Sequence, residues 1–532
     1  MENQAPSALI VLTVLGAGLA GCMSNNQEGP RESDRRIPGL PDAYTTEFPR
    51  LRCADSTTVN ILSSRWTNGT RACNIEMTTT NIGNEVTISV NPNDPNNVVG
   101  GAKDYTQPGA GQCVWDGIYT TLDGGATWRN QQVPGSNWAR LERPQEPVTP
   151  LSKHWCATDP VLGFGPAGEV YYSVMGYQCD PVSASPTGAG TLPDGGLNDW
   201  AFNCVQMYVL KSTDGGLTWP QITAIQPAGA YPASFNDRQW LHVDPRTGDV
   251  YVGWIVIHGV DAENWFYWSS DGGVTFNGPQ IVSKTEGPGG VDVPAGGAQG
   301  TMITSGPDHD VYMTWGCGAT TSLAVSRDGG RTFAAPVGAP TKCDDKVLYP
   351  SDENPRGLPR VPDAPAPAVD YASDSPYSGR LYVVSRTDAF GHADIGFLRS
   401  LDGGSTWDTL RKLNDDAGND SAQFFAAISV NPHGVIDVVW YDQRNDPEHH
   451  RFDLYYTYSL DGGDTWAPNA RVTEVSSAPE PSKHQNGMVF IGDYLDIDSS
   501  KDYAHPIWVD TRNGISDVYT AWIERPAHPI RP

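Results

Sequence analysis

The sequence predicts an all-β fold, a β-propeller of four-stranded antiparallel blades. Three observations predict it: a repeated octapeptide, a second repeat of strand pairs, and a composition rich in turn residues. The 532 residues include 57 Gly and 43 Pro, typical of a chain that turns often, while 17 Trp and 22 Tyr supply side chains for a large core. This composition argues against a helical bundle and against wholesale disorder. Length alone leaves the domain count open, because propellers run long as single units.

The octapeptide has the pattern [ST]-x-Asp-Gly-Gly-x-Thr-[Trp/Phe] and occurs six times, at 121–128, 212–219, 269–276, 326–333, 400–407 and 459–466. It has the composition of a β-hairpin turn, because the Asp carboxylate can accept turn N–H groups and the two Gly supply positive φ. The aromatic residue then begins the next strand and anchors it in the core. We therefore expect a structural role for the Asp of each copy: Asp123, Asp214, Asp271, Asp328, Asp402 and Asp461.

The second repeat counts the blades. An apolar strand, a turn with Asp or Asn, Pro and Gly, and a strand rich in Tyr, Val and Trp recur seven times, for example in 88–101, 159–173 and 241–254. The period of about 60 to 80 residues is long enough for a four-stranded blade, so seven blades are favoured and six are the alternative. Alternation along these strands indicates one buried face. We expect the segment near 73–80 to supply the missing outer strand of the last blade.

The octapeptide resembles the Asp-box, or BNR repeat, of the sialidase superfamily, where it joins the two outer strands of a propeller blade. The resemblance implies that the boxes lie away from the catalytic face. It also implies six blades for an enzyme proper, from which a seventh would be a departure. The family's Arg-Ile-Pro signature occurs here as Arg36-Ile37-Pro38, but in a polar segment without the expected strand, and we interpret it as coincidental.

The N-terminus has the pattern of an exported lipoprotein. Residues 7–20 form an apolar run too short to span a bilayer and typical of a signal-peptide core. The run ends in Leu-Ala-Gly-Cys22, which resembles the lipobox of prokaryotic lipoproteins and implies lipidation of Cys22, although the preceding residues lack Lys and Arg. We therefore predict a signal peptide and lipobox at 1–22, a polar tether at 23–65, and a single propeller at 66–532, tethered at the cell surface.

The cysteine count and the net charge indicate which disulfides, ligands and cofactors to expect. Eight cysteines besides Cys22 predict up to four disulfides of open connectivity in an exported chain. The net charge of -27 argues against nucleic acid, because phosphate binding needs clustered Lys and Arg. We expect a monomer without a cofactor. Calcium is an alternative at Asp496-Ile-Asp498-Ser-Ser500-Lys-Asp502 and, equally, at 414–416, although we interpret the first as a strand end with a polar face.

Two blades carry the pattern Trp-x-Asp-x-Arg-Asn, which contributes Asp442 with Arg444 and Asp510 with Arg512. Residues two apart on a strand point to the same side, so each pair can form a salt bridge that links blades. The other interpretation is that Arg444 and Arg512 face the central channel and bind an anion such as a sugar carboxylate, which Arg does bidentately.

Further candidates lie where innermost strands begin. Lys153-His-Trp155 and Asp237-Arg238-Gln-Trp240 are interpreted as equivalent blade positions, which makes Arg238 a third substrate-binding candidate with Asp237 beside it. Asp493 and Tyr494 begin the seventh innermost strand. Sialidases use a Tyr nucleophile, so the resemblance implies that role for Tyr494, with Asp493 and Asp237 as further catalytic candidates. The Glu that would partner Tyr494 is not identifiable from the sequence.

Two functions follow from these patterns. A non-catalytic propeller that binds a glycan or an extracellular protein accounts for all of them and is the function that we favour, because fold does not determine function. An exo-α-sialidase-like glycoside hydrolase that cleaves sialic acid or a related acidic sugar is the alternative. An anionic substrate would need a locally positive channel inside this acidic protein.

Overall fold

The fold is known from a computed structural model, which describes residues 46–49, 59–60, 71–72, 74–77, 83–105, 114–137, 146–177, 205–225, 235–258, 261–285, 300–316, 321–341, 364–417, 421–478 and 491–525. Seven four-stranded antiparallel sheets form a ring, so the predicted β-propeller is confirmed and the blade number is seven. No helix among these residues is long and apolar enough to cross a membrane. Cys22 and every other cysteine except Cys156 lie outside the described residues, so lipidation and disulfide pairing stay predictions.

Each blade runs from an innermost strand at the central channel to an outer strand at the rim. Blades 1 to 3 are Gly83–Val90, Val98–Asp104, Trp115–Thr121, Thr127–Gln132; Cys156–Phe164, Val170–Tyr177, Gln206–Ser212, Gln221–Ile225; and Phe235–Val243, Val250–His258, Asp261–Ser269, Asn277–Thr285. Blades 4 to 6 are Met302–Ser305, Val311–Trp315, Thr321–Ser326, Val337–Ala339; Ala366–Val369, Leu381–Thr387, Asp394–Ser400, Arg411–Lys412; and Gln423–Val430, Ile436–Asp442, Asp453–Ser459, Ala470–Arg471. Blade 7 is Asp496–Ser499, Tyr503–Asp510, Asp517–Ala521 and, from the N-terminal part of the chain, Asn74–Glu76.

Short elements lie outside this plan. Thr46–Pro49 pairs with the outer strand of blade 1, and Val59–Asn60 pairs with Arg71–Ala72. Ile523–Glu524 pairs with the second strand of blade 7, and Pro150–Lys153 is a 3₁₀ helix.

The ring closes through the N-terminal part of the chain, as expected for the segment near 73–80. Asn74–Glu76 pairs antiparallel with the third strand of blade 7, with Tyr519 opposite Glu76 and Ala521 opposite Asn74. Met77 follows, donates its N–H to the carbonyl of Val518 at 2.8 Å and is fully buried. The two ends of the propeller domain are therefore joined in one sheet.

The expectation of one buried face per strand is wrong for the inner part of the blades. Ile436–Asp442 and Trp115–Thr121 are buried at every position. The physical reason is that each blade packs between two neighbours, so both faces of its middle strands are covered. Fully buried Trp side chains fill these contacts, among them Trp115, Trp254, Trp315, Trp440 and Trp508.

The octapeptides connect the third strand to the outer strand of their blades, at the end of the propeller opposite to where the innermost strands begin. In the copy around Asp402, Oδ1 accepts the Ser400 hydroxyl and the Thr406 N–H at 2.8 Å each, and Oδ2 accepts the Thr406 hydroxyl at 2.7 Å. Gly403 and Gly404 have φ of 64° and 92°. The other five copies repeat these bonds. We call this end the octapeptide end.

Candidate functional site

The opposite end, where the innermost strands begin, is the channel mouth, and it is marked by strained backbone. In four blades the innermost strand has a β-bulge there, with a non-glycine residue in the left-handed region: Glu85, Asp159, Arg238 and Phe425, with φ of 51°, 60°, 51° and 53°. Each lies two residues before the strand pairing resumes. Tyr494 lies at the same position in blade 7, two residues before Asp496. Strain of this kind persists where the surroundings impose it and clusters at functional sites.

An ion-pair cluster joins blades 1 and 2 at the channel mouth. Lys103, at the end of the second strand of blade 1, forms ion pairs with Glu85 and, at 2.8 Å, with Asp159 Oδ1. Burial favours the neutral acid in both cases, but the Lys103 charge and a hydrogen bond from the Thr158 hydroxyl hold the pKa of Asp159 below its usual range. Burial raises the pKa of Glu85 well above its usual range, so Glu85 is protonated more readily than Asp159.

Two further carboxyl groups lie within the electrostatic reach of this cluster. Asp116 is fully buried, and neither carboxylate oxygen has a hydrogen-bond partner. Burial, followed by the charge of Asp159, raises its pKa well above the usual range. Asp237 is partly exposed, and burial and the Asp159 charge raise its pKa to about 7 against the attraction of Arg238. Acids with raised and with lowered pKa values thus lie side by side, the arrangement from which acid–base chemistry can be built.

Aromatic side chains flank the charges. The Tyr494 ring meets the Trp240 ring edge to face at 6.1 Å, and the Arg238 guanidinium lies 6.0 Å from its centroid. The Tyr494 hydroxyl donates to the carbonyl of Pro160 at 3.3 Å. Burial, then the neighbouring acids Glu85 and Asp159, raise the Tyr494 pKa, so the hydroxyl keeps its proton.

The structure thus brings together four of the residues that the sequence singled out: Asp237, Arg238, Asp493 and Tyr494. Asp493, itself buried, acts electrostatically on Glu85 and Asp237. Their roles as catalytic or binding residues stay predictions.

Arg444 and Arg512 lie against the third strands of their own blades. Arg444 Nη2 binds Asp442 at 2.8 Å, and its guanidinium lies over the Tyr455 ring at 4.2 Å. Arg512 repeats the pattern with Asp510 at 2.6 Å and Tyr519 at 4.4 Å. The indole N–H of the Trp in each motif donates to the same Asp: Trp440 to Asp442 and Trp508 to Asp510. These contacts are those of a blade-stabilising motif, and a role in binding a substrate stays a prediction.

Sequence reasoning missed Glu85, Lys103, Asp116 and Asp159. Asp159 and Pro160 lie inside the innermost strand of blade 2, and the proposed equivalence of Lys153-His-Trp155 with 237–240 is wrong. Lys153 ends the 3₁₀ helix before the strand, whereas Asp159 occupies the bulge position of Arg238. A bulge inserts residues into the strand, so spacing measured along the sequence shifts the register. The signal that could have identified Glu85 and Asp159 is a charged residue two positions before the pairing of an innermost strand resumes, as at Arg238.

The candidate calcium loop lies at the junction of blades 7 and 1. Asp496 Oδ2 accepts the N–H of Ile88 at 3.1 Å, and Asp498 Oδ2 accepts the N–H of Val90 at 2.8 Å. These carboxylates therefore bridge two innermost strands, which suits the interpretation of a strand end with a polar face. Within the described ranges, no three His, Cys, Asp or Glu side chains are arranged to hold a metal ion.

Comparison with known proteins finds likeness in structures alone. No protein-family model matches the chain, and no curated protein matches it. Similar solved structures include a Hadza microbial sialidase, 14% identical, covering 67% of this chain and 63% of that chain with a TM-score of 0.43. A protein of unknown function from Dyadobacter fermentans is 12% identical, with coverages of 86% and 98% and a TM-score of 0.44. Trypanosoma rangeli sialidase is 10% identical, with coverages of 92% and 60% and a TM-score of 0.41.

The chain spans less than two thirds of the length of either sialidase. At these identities the function has to be inferred from the residues of this chain's own channel mouth.

Proposed function

We propose that the protein is a propeller that binds a glycan at the channel mouth. One observation carries the proposal: strained bulges hold charged side chains beside aromatic rings, with Asp237, Arg238 and Trp240 left partly exposed at the channel. Aromatic walls with a few fixed polar groups are the usual composition of a small-ligand site. Backbone strain at the same positions supports a binding role over a purely structural one. A strand with only a structural role could adopt an unstrained conformation, whereas strained residues cluster at functional sites.

A glycan array probed with the full chain tests this function. Arg238→Ala should lower binding of the retained glycan by about tenfold, since it removes a cation that lies against the Tyr494 ring. Arg331→Ala is the matched control, because Arg331 is an exposed arginine at the octapeptide end. Retention of no glycan, or equal losses in both variants, would contradict a site at the channel mouth.

Glycoside hydrolysis is the second candidate function, and the pairing of neutral and ionised carboxyls favours it. Asp237 can hold a proton near neutral pH while Asp159 stays ionised, and Glu85 acts on Tyr494, the candidate nucleophile. Turnover of a fluorogenic sialoside that disappears in both Asp237→Asn and Tyr494→Phe would support this function. Turnover that survives both changes would place the chemistry elsewhere.

Export and lipid anchoring through Cys22 complete the proposal, supported by the apolar run and the lipobox-like sequence before it. Expression in a bacterial host should place the protein in the membrane fraction, with a lipid-modified Cys22 at the mature N-terminus by mass spectrometry. Cys22→Ser should release it from that fraction. An unprocessed N-terminus would contradict the anchor.

A further inference from the structure

The channel mouth carries more carboxyl groups than cationic side chains. Five carboxyl side chains and two cationic side chains act on one another there: Glu85, Asp116, Asp159, Asp237 and Asp493 with Lys103 and Arg238. Lys103 is already engaged by two of the carboxylates. Among the described residues of this cluster, Arg238 is the cation that forms no ion pair, and an anion approaching it would also meet the carboxyl groups around it.

Buried acceptors at the same place have no donor. Gln239 follows the strained Arg238, donates its amide N–H to the carbonyl of Asp159, and leaves Oε1 buried without a partner. Its side chain is 2% exposed. Asp116, fully buried, leaves both carboxylate oxygens without a partner. Buried acceptors without partners are costly and rare, so Gln239 Oε1 and the Asp116 carboxyl group leave hydrogen-bonding capacity unused at this site.

Asp237 is the carboxyl group of this cluster that a ligand can reach. It is partly exposed at the start of the innermost strand of blade 3. Its side chain forms no hydrogen bond or ion pair with any residue in the described ranges. An ammonium group placed here would gain a charge-assisted hydrogen bond to the Asp237 carboxylate.

We propose that the channel mouth takes a glycan with a protonated amine, an unacetylated amino sugar, whose ammonium group binds Asp237 between the bulges of blades 2 and 3. The inference rests on the proposed glycan-binding function and specifies the charge of its ligand. A sugar carboxylate is disfavoured by the same carboxyl groups that attract the amine. The sugar ring would lie against the partly exposed Trp240, whose ring is backed by the buried Tyr494.

The test compares three oligosaccharides of equal length that differ in charge. Oligomers of glucosamine, N-acetylglucosamine and galacturonic acid are titrated calorimetrically into the full chain at neutral pH, with EDTA present to exclude bridging metal ions. We expect the glucosamine oligomer to bind at least about tenfold more tightly than its acetylated counterpart, because acetylation removes the charge and keeps the ring. The galacturonic acid oligomer should bind most weakly.

Variants then locate the preference. Asp237→Asn should reduce the ratio of the two glucosamine-series affinities to near one, and Asp237→Glu should restore it. Glu448→Gln is the matched control, since Glu448 is an exposed acid on a loop of blade 6 and its loss changes the net charge equally. Thermal unfolding of each variant shows whether it is folded.

The outcomes separate the two levels of inference. Tighter binding of the acetylated or the acidic oligomer overturns the amine preference and leaves glycan binding standing. Binding of none of the three oligomers, together with an empty glycan array, overturns the proposed function itself. A preference that Asp237→Asn leaves intact in a folded variant overturns the assignment to Asp237.

Discussion

The two ends of the propeller use aspartate in opposite ways. At the octapeptide end, the hydroxyl and N–H hydrogen bonds of Thr406 and a hydroxyl bond from Ser400 lower the pKa of Asp402 to about 2. At the channel mouth, Asp116 has no donor, and burial raises its pKa. The comparison teaches that each octapeptide supplies the donors for its own acid, whereas at the channel mouth Asp159 is satisfied by Lys103 and Thr158 and Asp116 is left without a partner.

Backbone strain divides in the same way. The left-handed residues of the octapeptides are glycines, for which that conformation carries no steric penalty. At the channel mouth the left-handed residues include the buried acids Glu85 and Asp159 and the partly exposed Arg238, all with charged side chains. One end is therefore built for stability and repetition, and the other holds strained polar groups that only some blades carry.

The largest loss of stability is expected at the octapeptide end, where Arg525 binds the C-terminal segment to blades 6 and 7. Its guanidinium binds the buried Asp437 and the carbonyls of Lys501 and Tyr503. Arg525→Ala should lower the free energy of unfolding by about 3 to 5 kcal/mol in urea denaturation, because it leaves Asp437 buried without a cation.

The double variant Arg525→Ala with Asp437→Asn is the control. It removes the stranded charge and should recover part of the loss. A single variant as stable as the parent protein would show that this end does not depend on satisfied charges.

The second effect concerns close packing at the channel mouth. A Cβ on Gly492 would lie 2.6 Å from the backbone N of Glu85, and Gly492 has a φ of +95°. Gly492→Ala should cost about 1 to 3 kcal/mol and should displace the Glu85 bulge, weakening glycan binding. Gly514→Ala is the matched control, since Gly514 has a φ of +81° with nothing within 4 Å of its Cβ position. If both variants lose equal stability and binding, the Gly492–Glu85 contact has no role.

The third effect tests whether one octapeptide matters among six. Asp402→Ala removes the acceptor for Thr406 and Ser400 and should lower the free energy of unfolding by about 1 to 2 kcal/mol, as the loss of a capping acceptor does. Glycan binding should stay unchanged because this turn lies at the far end. Leu401→Ala, at the exposed neighbouring position, should be close to neutral. A loss of binding in Asp402→Ala would show that the two ends are coupled.

The sequence predicted the octapeptide end far better than the channel mouth, for a physical reason. A turn such as 400–407 contains its donors and acceptors within eight residues, so its geometry is local and repeats. Ring closure by 74–76 was also predictable, because the seventh blade lacked a strand. The cluster of Lys103, Asp159 and Asp237 draws one residue from each of three strands, and only the tertiary structure, with its bulges, determines which positions meet.

The smallest expected effect is a pH-dependent change in the free energy of unfolding. It has opposite signs for an Asp→Asn substitution at the channel mouth and at the octapeptide end. Asp237 has a pKa of about 7 in the folded protein against 3.8 for the free group, so the folded state keeps a proton that the unfolded state releases as pH rises. The destabilisation caused by ionising Asp237 in the folded protein is absent below about pH 4 and complete above about pH 7. Asp237→Asn should therefore be neutral near pH 4 and stabilising by about 1 kcal/mol at about pH 8, a value reduced for partial exposure.

Asp402→Asn should behave in reverse, which makes it the internal comparison. The pKa of Asp402 is lowered to about 2, chiefly by the Thr406 hydroxyl, so its contribution to stability is present above about pH 4 and is lost as pH falls through about 2. Urea denaturation of both variants from acid to mildly alkaline pH measures the two differences. Parallel curves would mean that the carboxyl groups at the two ends share one electrostatic environment. Curves that diverge as pH rises would place satisfied charge at the octapeptide end and unsatisfied charge at the channel mouth.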